Sequence, residues 1–233
     1  MNENLEGLVD AVAAWLAFEA ACGRRRALTE SLLNVPINQF CQSRTWDLHP
    51  QRRVFDDDRH AQARPHAVDY EIFRGRQSLA CIECKLGYGR PDARAILRDI
   101  AKLLMRRRQI SSGCYMLFAG ISPRDLVAEM ANPRAGISRL LVPESEWKRI
   151  GGSDDERMQR LWGMFCKEKD SVLGDTTDRP SWSQFKIRGV HHTQLRLGNT
   201  YVFAGLWEVA LRPQTNRHSA PGAECNATKQ RCP

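Results

Sequence analysis

Hydrophobic positions along this chain change period several times, and each change marks an element. From residue 4 to 22, Leu5, Leu8, Val9, Val12, Trp15 and Leu16 recur at helical spacing. Leu32, Leu33, Ile37 and Phe40 continue that spacing in a second helix, with Thr29 as its N-cap and Pro36 expected to kink or divide it. The period then shortens to two. Thr45 to Val54 reads as a first strand, which Pro50 assigns to an edge or a bend. His66 to Phe73 alternates Val68, Tyr70 and Ile72 against Asp69 and Glu71, and Ser78 to Leu86 carries Leu79, Ala80, Ile82 and Leu86, so a hairpin follows. Helical spacing returns from Asp92 to Arg108, where Ala93, Ile96, Leu97, Ile100, Leu103 and Leu104 form one face. Arg90, Arg94, Arg98, Lys102 and Arg106 step along this helix in fours, each step advancing about 40°, and are expected on the side away from the apolar face. Tyr115 to Ala119 is a further short strand.

Beyond Gly120 the pattern is looser. Ser122 and Pro123 suit the N-cap and first residue of a helix within 122–141, and Ser153 with Glu156 forms a capping box for a helix carrying Met158, Leu161, Trp162 and Phe165. Ser183 to Val190 and Thr200 to Leu211 are strand-like, joined by HHTQLRLGN with a turn at Gly198-Asn199; they extend the sheet or form a hairpin beside it. The expected class is α/β, a central mixed β-sheet flanked by helices. Its segments are an N-terminal helix (1–27), a core (28–120), helices and strands packed on that core (121–211) and a polar, aperiodic, flexible tail (212–233).

Composition narrows the class without naming a function. The 233 residues suit one substantial domain with additions, and 42% hydrophobic with 27% charged residues argues against wholesale disorder. No apolar run approaches the ~20 residues that cross a bilayer, and MNENLEGLVD lacks the basic start and apolar centre of a secretion signal. A cytoplasmic location and no membrane partner are expected. The net charge of +8 points to a polyanionic partner. Eight scattered cysteines suggest reduced thiols; Cys81 and Cys84 form a CxxC, but residues three apart on a strand face opposite sides, against a thiolate metal site.

The hairpin carries the chemistry. Side chains alternate across a strand, so Glu83 and Lys85 share a face, and the preceding strand brings Asp69 close to them. Two carboxylates supply hard oxygen donors for a small divalent cation, and a lysine beside them orients or helps deprotonate a water and offsets phosphate charge. Asp69 followed by Glu83-Cys84-Lys85 resembles the PD-(D/E)XK nuclease superfamily, whose restriction-endonuclease-like core runs helix, three strands, helix, strand, the order found in roughly the first half of this chain.

That resemblance implies a metal-dependent nuclease, with DNA favoured over RNA, acting in restriction, repair or defence. It implies Mg²⁺, or Mn²⁺, held by Asp69, Glu83, the Cys84 backbone carbonyl and a helix glutamate. Glu30 is the choice for that glutamate and Glu19 the alternative. Lys85 is the implied water-positioning residue. RDIAKL, Arg98 to Leu103, looks like the family's helix behind the hairpin, so Arg94, Arg98, Lys102 and Arg106 are expected to meet phosphate. A homodimer or a partner protein is compatible with double-strand cutting.

Other clusters have blander roles open to them. Asp56-Asp57-Asp58 with His60 reads first as a solvated turn, and Arg64 is ambiguous between phosphate contact and surface charge. His191 and His192 face opposite ways on a strand, one packed and one exposed. Trp182, Phe203 and Trp207 read as core before they read as base-stacking platforms. The rival functional class is the same fold without catalysis, binding nucleic acid or a protein.

Overall fold

The computed structural model describes residues 5–53, 67–87, 92–110, 112–123, 137–141, 152–167 and 182–212. Its first helix, α1 (Glu6–Ala21), buries Leu8, Val9, Val12, Ala13, Leu16 and Ala20 along the predicted stripe. The second differs in detail from expectation. A 3₁₀ turn (Glu30–Leu33) precedes α2 (Asn34–Ser43), and Thr29 makes no side-chain cap. Pro36 therefore lies in the first turn of α2, where its missing N–H has no intrahelical acceptor to lose.

Six strands follow: β1 (Asp47–Arg53), β2 (Ala67–Arg74), β3 (Gln77–Gly87), β4 (Gly113–Pro123), β5 (Phe185–Leu197) and β6 (Thr200–Leu211). They form one sheet in the order β1-β2-β3-β4-β6-β5. Every neighbouring pair is antiparallel except β3 with β4. A parallel pair needs a crossover, and α3 (Ala93–Arg107) lies between these strands in the chain. Asp92 caps it, accepting the Arg94 N–H at 3.0 Å. The helix α4 (Asp154–Lys167) starts with the predicted box: Glu156 accepts the Ser153 N–H at 2.6 Å, and Ser153 Oγ accepts the Glu156 N–H at 3.3 Å. The chain is thus an α/β protein whose mixed sheet, with one parallel pair, packs against four helices. No described helix is long and apolar enough to cross a membrane.

Each face of the sheet has its own core. On one, α1 and α2 cover Tyr70, Ile72, Ile82, Cys84, Tyr115, Leu117, Val202 and Leu206. On the other, α3, α4 and a helical turn at Ser138–Leu141 cover Cys81, Cys114, Met116, Phe118, Phe203 and Trp207. Cys81 and Cys84 fall in different cores, both as free thiols. Burial of Phe203 and Trp207 agrees with their reading as core.

Two expectations for the second half need correction. Ser122 and Pro123 continue β4 instead of opening a helix, because β6 pairs along it as far as Pro123 opposite Thr200. HHTQLRL is strand rather than connector: β5 runs to Leu197 opposite Thr200, leaving Gly198 (φ 59°) and Asn199 as the turn. The β5–β6 ribbon extends the sheet. Asp56, Asp57, Asp58, His60 and Arg64, and the tail from Pro213 expected to be flexible, lie outside the described residues.

Where β3 and β4 run side by side, Gly87 pairs with Gly120. A Cβ built on Gly120 would stand 2.0 Å from the Gly87 carbonyl oxygen. Backbone is a poor neighbour to push aside, so Gly120→Ala is expected to destabilise the protein by about 1–3 kcal/mol. Urea unfolding would show the midpoint falling at unchanged slope.

Candidate active site

The site forms where β2 and β3 part. Their paired register ends at Tyr70 opposite Ile82, and just beyond it the Cys84 N–H donates to Asp69 Oδ2 at 2.8 Å. Alternation then turns Glu83 and Lys85 together toward α3, while Cys84 points into the opposite core.

Helix α3 answers with Asp99 and Lys102. Lys102 Nζ is 2.7 Å from Glu83 Oε1 and 2.9 Å from Asp99 Oδ1. Lys85 Nζ is 2.8 Å from Asp99 Oδ2 and 3.2 Å from Glu30 Oε1 on the 3₁₀ turn. Asp69, Glu83, Lys85 and Glu30, expected at one place from the sequence, therefore meet there. Glu19 does not join them; it pairs with Arg24 at 2.5 Å on the surface.

Burial sets the electrostatics. Glu83 is 0% exposed, and its carboxyl is pushed well above the ordinary range by desolvation and by Asp69 and Asp99, with Lys102 offsetting part. Its Oε2 has no hydrogen-bond partner among the described residues. Desolvation also raises Glu30, against the pull of Lys85. For Lys85, desolvation favours the neutral amine, but Asp99, Glu30 and Asp69 outweigh it and hold the group above its usual range. Lys102 is raised in the same way by Glu83 and Asp99. Both lysines are ammonium ions at neutral pH, suited to donating and to offsetting charge rather than to taking a proton.

The expected phosphate-facing stripe on α3 does not persist along the helix. Arg94 is exposed and Arg98 half-buried, but Lys102 is 14% exposed and Arg106 10%. Arg106 Nη2 donates to buried Glu71 Oε2 at 2.8 Å, and Ser78 Oγ donates to the other Glu71 oxygen at 2.8 Å. The advance of about 40° per step of four carries the stripe from solvent at its start onto the flank of the sheet at its end. There the acids of β2 and β3 receive it.

Asp99 is the residue of this cluster that the hairpin motif leaves out. Its position three after Ile96 and four before Leu103 puts it within the apolar face, and that spacing was the available signal. His191 meets Asp10 of α1 at 3.1 Å, while His192 is exposed; among the described residues neither belongs to a group of three or more possible metal ligands.

Comparison with protein-family models, with curated proteins and with solved structures finds no match to this chain. What the geometry defines by itself is four carboxylates and two ammonium ions gathered at one end of β3. Among the described residues no three His, Cys, Asp or Glu side chains converge as a ligand set, because lysines are interleaved with the acids. The donors nonetheless suit a hard cation. Glu83 Oε2 is buried and unpartnered among the described residues, and acids outnumber lysines four to two at this place.

Proposed function

We propose that this chain is a metal-dependent nuclease of the PD-(D/E)XK type, with a restriction-endonuclease-like core and DNA as its favoured substrate. The observation that carries the reading is the convergence of Asp69, Glu83 and Lys85, with Glu30, at the parting of β2 and β3. Asp69, Glu83 and the Cys84 carbonyl would hold Mg²⁺ or Mn²⁺, with Glu30 as a further donor. When bound, such an ion supplies a Lewis acid for the phosphoryl oxygen and a more acidic water.

The chain's own residues do the rest. Lys85 keeps its proton and donates to the attacking water or to a phosphate oxygen, offsetting charge that grows as the bond breaks. Lys102 holds one oxygen of Glu83 and leaves the other available. Arg94, at the exposed start of α3, and Arg98 beside it draw the phosphate backbone toward the site. The overall charge of +8 supports a polyanionic substrate. Cutting both strands in one encounter calls for a homodimer or a partner protein, and a cytoplasmic setting accords with the free thiols.

The test is cleavage of a labelled panel of DNA and RNA in Mg²⁺, Mn²⁺ or EDTA. Cutting with either ion, abolished by chelation and faster on DNA, is the expected result. Binding that survives EDTA with no cutting of any substrate would move the protein to the non-catalytic class.

A further inference from the structure

An acid in the apolar face of a helix costs free energy unless its charge is met. Asp99 lies in that face, buried among Ile96, Ile100 and Leu103. Its two oxygens are divided between two lysines, Oδ2 to Lys85 at 2.8 Å and Oδ1 to Lys102 at 2.9 Å. Each lysine reaches a second acid, Glu30 for Lys85 and Glu83 for Lys102. Charge therefore alternates without a break through Glu30, Lys85, Asp99, Lys102 and Glu83, from the 3₁₀ turn by way of α3 to β3.

A lysine ammonium sits on a flexible four-carbon stem and is not oriented by a single contact. The two contacts on Lys85 are unequal. Glu30 is 42% exposed, so water competes for its charge, whereas Asp99 is 6% exposed and fixed on a regular helix. We propose that Asp99 is the positioning residue of this site: its divided carboxylate fixes the Lys85 ammonium beside Asp69 and Glu83 and holds Lys102 over Glu83. The catalytic meaning of this bridge rests on the nuclease reading; the bridge itself does not.

Asp99→Asn keeps the shape and removes the charge. Single-turnover cleavage under enzyme excess is expected to slow roughly 10–100-fold, as for groups that support a metal site from behind, with the substrate concentration at half-maximal rate little changed. Asp99→Glu should recover part of the rate. In a Lys85→Met background, Asp99→Asn should cost clearly less than in the wild type, since one of the two lysines through which it acts is already removed. An equal slowing in both backgrounds, or a change in substrate affinity alone, would overturn the proposal.

Thermal unfolding decides the bridge independently of cleavage. Across wild type, Asp99→Asn, Lys85→Met and the double variant, the midpoint shifts should depart from additivity by about 2 °C or more. Additive shifts would remove the bridge. Asp99→Ser carries the same cycle should the amide prevent folding. A wild-type protein that cuts nothing would end the nuclease reading, yet the cycle would still decide whether Asp99 holds Lys85.

Discussion

Asp69→Ala should abolish metal-dependent cleavage, and Lys85→Ala should slow it about 10²–10⁴-fold, the range for a group that serves the reacting proton or charge. The two losses differ in kind. The Asp69 carboxylate has two tasks: it accepts the Cys84 N–H at 2.8 Å where the strands part, and it offers a hard oxygen donor. Alanine removes both and leaves an amide without its acceptor, which weakens the geometry of Glu83 and Lys85 as well. Asp69→Asn separates the tasks, since its amide oxygen still accepts from Cys84 while the negative charge is gone. It should therefore fold like wild type and still fail to cut. Lys85→Ala leaves every proposed ion donor in place, so metal affinity should survive while the rate falls. Gel assays of cleavage, with fluorescence anisotropy of labelled DNA in EDTA, read the two effects apart. Wild-type cutting by either alanine variant would sink the assignment.

The largest expected loss of stability lies one turn further along α3. Arg106→Met removes the guanidinium that faces Glu71 in a place where the carboxylate is 1% exposed. Removing one partner of a buried pair typically costs about 3–5 kcal/mol, because the remaining charge stays desolvated. Ser78 still donates to Glu71 Oε1, which softens the loss without cancelling it. The double change Glu71→Gln with Arg106→Met removes the buried carboxylate charge as well and should recover part of the stability. Urea denaturation of the three variants measures this, and equal losses in the single and double variants would show that the charge of Glu71 is not the cause.

Strand alternation made the hairpin's chemistry legible in advance. A period of two fixes which side chains share a face, so Glu83 with Lys85, and Cys84 opposite them, followed from order alone. The capping box at Ser153 was equally visible, because both of its partners lie within one turn of chain. What could not be read was whatever depended on a distant partner. Lys102 and Arg106 look like solvent-facing cations until β3 and β2 bring Glu83 and Glu71 against them. Ser122-Pro123 carries a sound local signal for a helix start, and pairing with β6 overrides it. The sequence favours Glu30 over Glu19 only by its nearness to the first strand, whereas the 3₁₀ turn puts it 3.2 Å from Lys85. Helical spacing could have flagged Asp99, but an acid on an amphipathic helix is ordinarily counted with the polar side.

The single parallel pair also sets the order in which this protein can assemble. Antiparallel β1, β2 and β3 join through near neighbours in sequence, so they can associate early, whereas β3 and β4 meet only after the chain has closed the long excursion that contains α3. Asp99 and Lys102 ride on that excursion. A nascent hairpin has Glu83 in water with an ordinary affinity for protons and no lysine against it. The alternating charges come together with the pairing of β3 and β4, so a partly folded chain has no assembled copy of this cluster to expose.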